Sequence, residues 1–395
     1  MSRKAIVVVA VAYLLLSGCQ KASRPTWWKF QNNLMNWGQA QSDGTTGKVR
    51  FRRTYGGPAS LGCPVLVSDA AHQAFNDSRI ILGSGSGGLT RLVPLQGNSV
   101  GQYGIPGTVI TSPAAPFQGE GIEAVYGSTV DGHVFSVSPD LGTQHWNIQL
   151  PAGEVLVTAP TVWNSLVFVA GGKFLFALSD TDGSIKWTYI MPGGAEVFYR
   201  SALPISLEAD PCIYVAQTDG NIAKLKAAEN KTVVWETKIP GIGISDHLMI
   251  DLNLFVYVPG NDGVLYVLDP ADGHISWTFS TGTPGFVTGA ALSTRNIVYF
   301  ADRGGTLWAV DSQTHNEVWH YQLPAPPTTP PIVTPNEVIY IGVGRGFQDA
   351  AVVATNGREL VWPPVGDMRA TVDFLAVGED GSLYAVAGKE LIAIK

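Results

Sequence analysis

The sequence predicts an all-β fold, an eight-bladed β-propeller of four-stranded blades that is closed by an N-terminal strand. Three observations support this prediction: the composition, a tryptophan-marked repeat, and a four-strand pattern inside each repeat. The chain has 395 residues with 45 Gly, 25 Pro and 11 Trp, and only 14% of its residues are charged. Such a composition is typical of short strands joined by tight turns, and it excludes a disordered or long-helix protein.

Six tryptophans mark the repeat, because they follow one another at intervals of 41, 48, 42, 42 and 43 residues. A period of this length is typical of propeller blades. We expect each of these side chains to fill the space between adjacent blades as a core residue, and not to bind a ligand. The six are Trp146, Trp187, Trp235, Trp277, Trp319 and Trp362.

Each repeat contains the same four segments in the same order. A small-residue segment comes first, then an apolar β-branched segment, then an alternating segment after a Gly-containing turn, and last the segment with the Trp. Four strands in such a unit correspond to one blade. Weaker copies at residues 80–95 and 373–394 bracket the six and bring the count to eight. The copy at 373–394 is interpreted as two middle strands and a shortened last strand.

A lone strand-like segment, residues 49–55, precedes the first repeat. We expect it to be the outer strand of blade eight, because closing the ring with strands from both termini protects strand edges. The predicted propeller therefore spans residues 47–395.

Residues 1–18 have the organisation of a signal peptide. Arg3 and Lys4 form a basic head, and an apolar run of about a dozen residues follows and ends in small residues. A spanning helix needs roughly 20 apolar residues, so the pattern indicates a cleaved export signal and not a transmembrane anchor.

The junction Leu-Ser-Gly-Cys, which ends at Cys19, resembles a bacterial lipobox. This resemblance implies that Cys19 is acylated (with palmitate, for example) and that residues 19–46 are a lipidated tether. Gln20 stands where an Asp would retain a lipoprotein at the inner membrane, so we expect the outer membrane, on its periplasmic side.

The remaining chemistry of the sequence is sparse. A formal charge of −7 disfavours nucleic acid as a partner. Gly-x-Gly-x-x-Gly at residues 83–88 matches a dinucleotide pattern, but no helix is predicted after it. Asp-Gly pairs recur from blade to blade as turn residues, and no metal-ligand or nucleophile motif is present. The sequence therefore predicts no catalytic residue, no metal site and no cofactor.

The cysteines and histidines have structural interpretations. Cys63 and Cys212 fall three blades apart, beyond the reach of a disulfide, so we expect two buried and unpaired thiols. His133, His274 and His315 recur within repeat turns and are predicted to lie at the surface.

The segment that ends each repeat resembles the AxDxxTGxxxW signature of quinoprotein-type (PQQ-repeat) propellers. Residues 177–187 and 267–277 match it, as do residues 309–319 with His315 at the Gly position. The resemblance covers nearly all of residues 49–395. Its glycines permit a tight turn, and its aspartates can accept hydrogen bonds from turn amides.

Two branches of that superfamily have different functions. The length, the lipid anchor and the eight blades are similar to those of the BamB family, lipoproteins of the outer-membrane β-barrel assembly machinery. That resemblance implies a non-enzymatic scaffold, a monomeric propeller whose partners are outer-membrane assembly proteins or other envelope proteins. The alternative is an exported propeller that binds a quinone or another ligand, with a redox or sensory role.

The longest interval between tryptophans contains the candidate partner-binding residues. In BamB-like proteins a loop at this blade junction presents apolar residues and an Arg to the partner, and the resemblance assigns that role here to Phe198, Tyr199 and Arg200. The family loop carries leucines where this one has aromatics. The alternative is that Phe198 and Tyr199 cap the propeller face. In the tether, Trp28, Phe30 and Trp37 are expected to pack on the side of the propeller.

Overall fold

The computed structural model describes residues 35, 38–40, 45–55, 62–68, 78–84, 88–105, 113–114, 124–151, 158–197, 202–344, 350–365, 370–378 and 380–395. Within these residues the strands form eight antiparallel sheets, seven of four strands and one of three. The chain is an all-β, eight-bladed propeller, as the sequence predicts.

The first strand in the chain, β1 (Val49–Thr54), belongs to the last blade, and the next four blades follow in chain order. Blade one is β2 (Val65–Ser68), β3 (Ser78–Ser84), β4 (Gly88–Leu92) and β5 (Ser99–Gly104); blade two is β6 (Val125–Ser128), β7 (His133–Val137) and β8 (Gln144–Gln149); blade three is β9 (Thr161–Trp163), β10 (Leu166–Gly171), β11 (Phe174–Ser179) and β12 (Ile185–Ile190); blade four is β13 (Ile205–Ser206), β14 (Cys212–Ala216), β15 (Asn221–Lys226) and β16 (Val233–Lys238).

The remaining blades have the same layout. Blade five is β17 (Met249–Ile250), β18 (Val256–Pro259), β19 (Val264–Leu268) and β20 (Ile275–Ser280); blade six is β21 (Ala291–Leu292), β22 (Ile297–Ala301), β23 (Thr306–Asp311) and β24 (Glu317–Gln322); blade seven is β25 (Ile332–Val333), β26 (Ile339–Val343), β27 (Ala351–Thr355) and β28 (Leu360–Val365); blade eight is β29 (Val372–Val377), β30 (Leu383–Ala387), β31 (Glu390–Ile394) and β1.

The first strand of each blade lies at the centre of the disc and the fourth lies at the rim. Ala159 and Ala202, which lead into the first strands of blades three and four, pair with each other directly. In blade two, an antiparallel bridge between Ala114 and Tyr126 occupies the place of the first strand. The middle strands are buried on both faces, whereas the outer strands alternate between exposed and buried side chains. This burial explains the low charged fraction of the repeats.

The repeated Trp joins each blade to the next. Trp146 of blade two donates its indole N–H to the carbonyl of Asp180 in the third-to-fourth-strand turn of blade three, at 2.7 Å. Trp187 and Trp235 make the same bond to Ala228 and Pro270, at 2.9 and 3.0 Å. All three of these Trp side chains are less than a tenth exposed. These three side chains therefore lie buried between one blade and the next.

A glycine in the accepting turn makes room for the ring. Gly183 and Gly273 have positive φ, and a Cβ at either would lie 2.7 Å from the Trp of the preceding blade. In blade six His315 stands in place of the Gly and has a φ of 62°. Its imidazole stacks on the indole of Trp277, with the ring centroids 4.3 Å apart. His315 is exposed at the surface as predicted, but it also replaces packing that elsewhere comes from the backbone.

The two ends of the ring depart from the Trp pattern. In blade eight, Phe51 of β1 supplies the aromatic side chain in place of a Trp, and it packs on Gly97 in the third-to-fourth-strand turn of blade one. Tyr55 donates its hydroxyl proton to the Gly97 carbonyl at 2.7 Å. In blade one the position belongs to Gly101, on which the backbone of Asp140 in blade two lies directly. Sequence reasoning missed Phe51 and Gly101 because neither resembles a Trp. The side chain of Trp362 lies outside the described part of the chain.

Closure by the N-terminal strand is confirmed. β1 pairs antiparallel with β31, and the main chains of Lys48 and Lys395 exchange two hydrogen bonds of 2.8 and 2.7 Å. The Asp380 carboxylate stabilises this closure, because its Oδ2 lies 3.1 Å from Nη1 of Arg50 and 3.5 Å from Nζ of Lys395.

The interpretation of residues 373–394 as middle strands with a shortened last strand is wrong. They form the first, second and third strands of blade eight, and β29 is innermost. The error arose from the Asp-Gly turn at Gly381, which lies between first and second strands. That turn has the same two backbone bonds as the second-to-third-strand turn at Asp302, so the local signal does not distinguish the two kinds of loop.

Replacing Trp235 with Ala should lower the free energy of unfolding by about 3–5 kcal/mol, because it removes a buried indole and its hydrogen bond to the next blade. Denaturant unfolding measures this change. The matched control is Val234→Ala on the same strand, at a side chain that is 42% exposed, for which we expect about 0.5 kcal/mol or less. Equal effects of the two substitutions would contradict the role assigned to the Trp.

Asp380→Asn should destabilise the closure by about 1–3 kcal/mol at pH 7. Burial alone would raise the pKa of Asp380, but the hydroxyl and amide of Ser382 together with Lys395 and Arg50 hold that pKa below its usual range. A carboxylate with a lowered folded-state pKa stabilises the fold above the unfolded value of about 4, and the contribution disappears as pH falls below it.

The difference between wild type and Asp380→Asn should therefore shrink between about pH 5 and pH 3. Unfolding curves at several pH values measure it, with Glu229→Gln at an exposed turn as the control. A difference that does not change with pH would exclude a charged role for Asp380.

Candidate interaction surface

The disc presents two faces built from different connections. The crossover face carries the connections from each outer strand to the next inner strand, such as 239–248, 281–290 and 323–331, and the loops between second and third strands. The turn face carries the loops between first and second strands and the turns between third and fourth strands, such as 180–184 and 269–274. Residues 281–290 and 323–331 contain no charged residue, whereas several third-to-fourth-strand turns are acidic. The acidic residues of those turns are Asp140, Asp180, Asp182, Glu229, Asp269, Asp272 and Glu359.

In blades four, five and six, the two kinds of loop on the crossover face are bonded together. The carbonyls of Gly220, Gly263 and Gly305 accept hydrogen bonds from the first residue of the following crossover, at 2.8–3.0 Å. Gly263 has a φ of 88°, and a Cβ there would collide with the carbonyl of Thr283. The recurrent Gly therefore serves the turn, as the sequence predicts, and also the close approach of the crossover.

The predicted partner loop belongs to this face, between blades three and four. Three hydrogen bonds to backbone carbonyls hold the base of this loop. The amide of Val197 donates to the carbonyl of Gly172 at 2.6 Å, and the amide of Thr218 donates to that of Glu196 at 2.9 Å. The side chain of Gln217 donates to the carbonyl of Ala195 at 2.6 Å. Val197 itself is buried, so it is a core residue and not part of an exposed patch. The candidates Phe198, Tyr199 and Arg200 lie outside the described residues.

Small side chains meet where the inner strands converge. Cys63, Ala159 and Ala202, from blades one, three and four, form a buried cluster against which Phe374 of blade eight packs. Ala202 stands three residues before Ile205, which pairs with the second strand of its blade. Contact within the cluster places the other two small side chains near the same level along the propeller axis. The small-residue segment of each repeat thus has a steric cause: bulky side chains at this level would keep the blades apart. Cys63 and Cys212 are both buried, as the sequence predicts.

Blade five places a histidine at this level. His247 stands three residues before Ile250, as Gly289 does before Leu292 in blade six. The imidazole occupies the space in which a Cβ of Gly289 would lie, so the glycine is what admits it. Sequence reasoning missed His247. The signal available was a single bulky polar residue in an otherwise small or apolar segment.

Asp246 holds the imidazole in place. Its Oδ1 lies 3.0 Å from His247 Nδ1, and its Oδ2 accepts the amide of Gly289 at 2.8 Å. Desolvation opposes ionisation, but His247 and the surrounding amides keep the pKa of Asp246 below its usual range. A small cavity beside the pair, bordered by the hydroxyl-bearing ring of Tyr214, has room for about one water molecule. The pair therefore braces two crossovers, and the cavity is too small for a quinone.

The N-terminal segment occupies the mouth of the channel on the turn face. Ile250 and Val333 end the inner strands of blades five and seven at this face. The amide of Ile250 donates to the carbonyl of Met35 at 3.0 Å, and the amide of Val333 donates to Gly38 at 3.0 Å. The amide of Ala40 returns a bond of 2.8 Å to Val333. The free inner edges of two blades are therefore paired with the chain's own backbone.

The same segment continues outward across the turn face. The amide of Thr45 donates to the hydroxyl of Tyr340 in blade seven at 2.7 Å, and Lys48 then enters the pairing with Lys395 that begins β1. We call residues 35–48, as far as they are described, the strap. Sequence reasoning placed this region on the side of the propeller. That expectation concerned Trp28, Phe30 and Trp37, which lie outside the described residues, so it stays a prediction.

Other predicted sites have limited structural outcomes. Cys19 and the predicted export signal, residues 1–18, lie outside the described residues. No helix in the described part of the chain is long and apolar enough to cross a membrane. Among the same residues, no three His, Cys, Asp or Glu side chains are grouped as a metal site would require.

Comparison with known proteins agrees with this geometry. Residues 201–391 match a family model described as outer membrane protein assembly factor BamB. A curated protein of that name from Moranella endobia (strain PCIT) is 21% identical over 256 residues, 62% of this chain and 60% of that protein, so the chain spans less than two thirds of the length of that relative. The crystal structure of BamB from Moraxella catarrhalis superposes with a TM-score of 0.64 at 16% identity, over 88% of this chain and 96% of that one.

The chain is a BamB-like β-propeller of the PQQ-repeat type. The BamB-like fold is shared with enzymes, since a quinohemoprotein alcohol dehydrogenase from Comamonas testosteroni superposes with a TM-score of 0.70 at 12% identity, over 99% of this chain and 84% of that one. At such identities the structural likeness shows the architecture alone. Function must therefore be argued from the surfaces of the BamB-like disc.

Proposed function

We propose that this chain is a non-enzymatic, membrane-anchored scaffold that assists the assembly of outer-membrane β-barrel proteins through protein–protein contacts. The observation that carries the proposal is the packing of the chain's own residues near the propeller axis. Near the propeller axis, Cys63, Ala159 and Ala202 pack together with Phe374, and the strap is bonded to the inner strands of blades five and seven on the turn face. A propeller whose axis is occupied by its own chain offers its faces, and not its channel, to other molecules.

The crossover face supports a scaffold role. In blades four, five and six its loops are held by backbone bonds at Gly220, Gly263 and Gly305, so residues on these loops are held in fixed positions. Rigid presentation lowers the entropy lost on binding and favours a specific interface. The loop that carries Phe198, Tyr199 and Arg200 starts from this framework at Val197, and an aromatic–arginine set of this kind supplies anchors at interfaces.

Membrane attachment completes the proposal. We propose that Cys19 is acylated and holds the disc at the periplasmic side of the outer membrane. Acyl chains contribute about 0.8 kcal/mol per buried methylene, so two or three chains anchor a domain firmly. The anchor would confine the search for a partner to the membrane surface, and the partner would be an outer-membrane assembly protein or another envelope protein.

Detergent-solubilised native membranes test the proposal by co-purification. The captured wild-type chain should bring down an outer-membrane β-barrel assembly protein, and Arg200→Glu or Phe198→Ala should lower the recovery about tenfold or more. The matched control is Arg358→Glu, an exposed arginine on the turn face, for which recovery should be unchanged. In the same preparation, labelled palmitate should appear in the wild-type chain and not in Cys19→Ala.

Other outcomes would count against the scaffold. Equal recovery with Arg200→Glu and Arg358→Glu would remove the loop from the interface. Recovery of a chromophoric quinone with the protein, together with calcium-dependent dye reduction, would favour the redox function that the fold shares with the dehydrogenase.

A further inference from the structure

The strap fixes where the tether joins the disc. Met35 and residues 38–40 pair with Ile250 and Val333, the last residues of their inner strands, at the centre of the turn face. From there the described chain moves outward, through Thr45, to the start of β1 at the rim of the same face. The hydrogen bonds of Met35, Gly38, Ala40, Thr45 and Lys48 described above all lie on this face.

The centre of the disc separates the two faces. Cys63 is 1% exposed and Ala202 is fully buried at the level where the inner strands converge, and His247, 1% exposed, fills the same level in blade five. A chain that reaches Met35 from the crossover face would have to displace this packing. The turn face is therefore the side from which the tether meets the propeller.

We infer that the turn face is the membrane-facing side of this protein and that its ligand is the lipid surface to which Cys19 is attached. The inference rests on the acylation of Cys19 given in the proposed function. Sixteen positions separate Cys19 from Met35. For a random coil of that length the average end-to-end distance is about 20–24 Å, which would hold Met35, and the face to which Met35 is bonded, near the bilayer.

The composition of residues 20–34 suits a lipid surface. They include Lys21, Arg24 and Lys29 and no acidic residue, in a chain whose overall charge is −7. Trp27, Trp28 and Phe30 accompany them, and aromatic rings of this kind favour the headgroup region. Basic residues close to an anionic leaflet contribute about 1 kcal/mol each. The tether therefore has the chemistry of a segment that lies against lipid.

The acidic turns do not oppose this orientation. Asp182, Asp269 and Asp272 would repel an anionic surface at contact, but the repulsion is screened over a Debye length of about 8 Å at physiological salt. The same charges discourage direct adsorption of the face, so the disc stands off the bilayer with its crossover face directed away from it.

Energy transfer on vesicles tests the orientation without depending on acylation. The mature chain carries a hexahistidine tag in place of Cys19 and binds vesicles that contain a metal-chelating lipid, phosphatidylglycerol and a rhodamine-labelled acceptor lipid. A donor dye is attached at Asp272→Cys on the turn face or at Pro284→Cys on the crossover face, both exposed positions. The native Cys63 and Cys212 are buried and should not react.

Transfer should be at least about twofold more efficient from position 272 than from position 284. Equal transfer from the two positions would show a freely tumbling disc, and stronger transfer from position 284 would place the crossover face at the bilayer; either result overturns the inference. Acylation is scored separately by the palmitate label on Cys19, so its failure cannot be mistaken for a failure of orientation. Circular dichroism of both variants checks that the propeller is intact.

Discussion

The contact on which the structure depends is an aromatic ring from the outer strand of one blade resting on the third-to-fourth-strand turn of the next. A blade is a four-stranded sheet that buries both faces, so it has no stable existence without its neighbours. The contact is made by Trp146, Trp187 and Trp235 with the same indole hydrogen bond, and by Trp277 through stacking on His315. At the last joint it is made by Phe51 on Gly97. The ring closes only because the N-terminal strand supplies that side chain.

Much of this architecture could be predicted from the sequence because the blade period repeats. The Trp spacing gives the blade count, and the Gly before the third strand marks a turn that the structure confirms with positive φ at Gly220 and Gly263. Phe51 and Gly101 could not be predicted, since each replaces the Trp in a blade that has lost the signature. The strand order of blade eight was also beyond local patterns, because identical hairpin geometry at Gly381 and Gly305 serves different strand pairs.

The surfaces were less predictable than the blades. The convergence of Cys63, Ala202 and Phe374 depends on a ring geometry that brings together residues hundreds of positions apart. His247 carries no motif, and its place is allowed only by a glycine in another blade. The strap pairs with two short inner strands, and nothing in its own sequence specifies those partners. The loop from Phe198 to Arg200 was singled out by family resemblance alone, and it stays a prediction.

Together these features describe a disc that uses its N-terminal segment twice, once to close the rim and once to cover the channel mouth. Specificity is left to the two faces. The described loops of the crossover face are bonded together in blades four to six, and the turn face carries the strap. Two faces of different construction suit the proposed scaffold, which would be anchored on one side and present binding residues on the other.

Hydrogen exchange by mass spectrometry tests most directly whether the N-terminal segment is part of the propeller. A chain that begins at residue 20 is compared with one that begins at residue 45 and keeps β1. The amides of Ile250 and Val333, which donate to Met35 and Gly38, should lose protection on truncation, while the outer strand at Ile275–Ser280 should not change. Unchanged protection of both inner strands would contradict the account, because it would show that the strap does not pair with the blades.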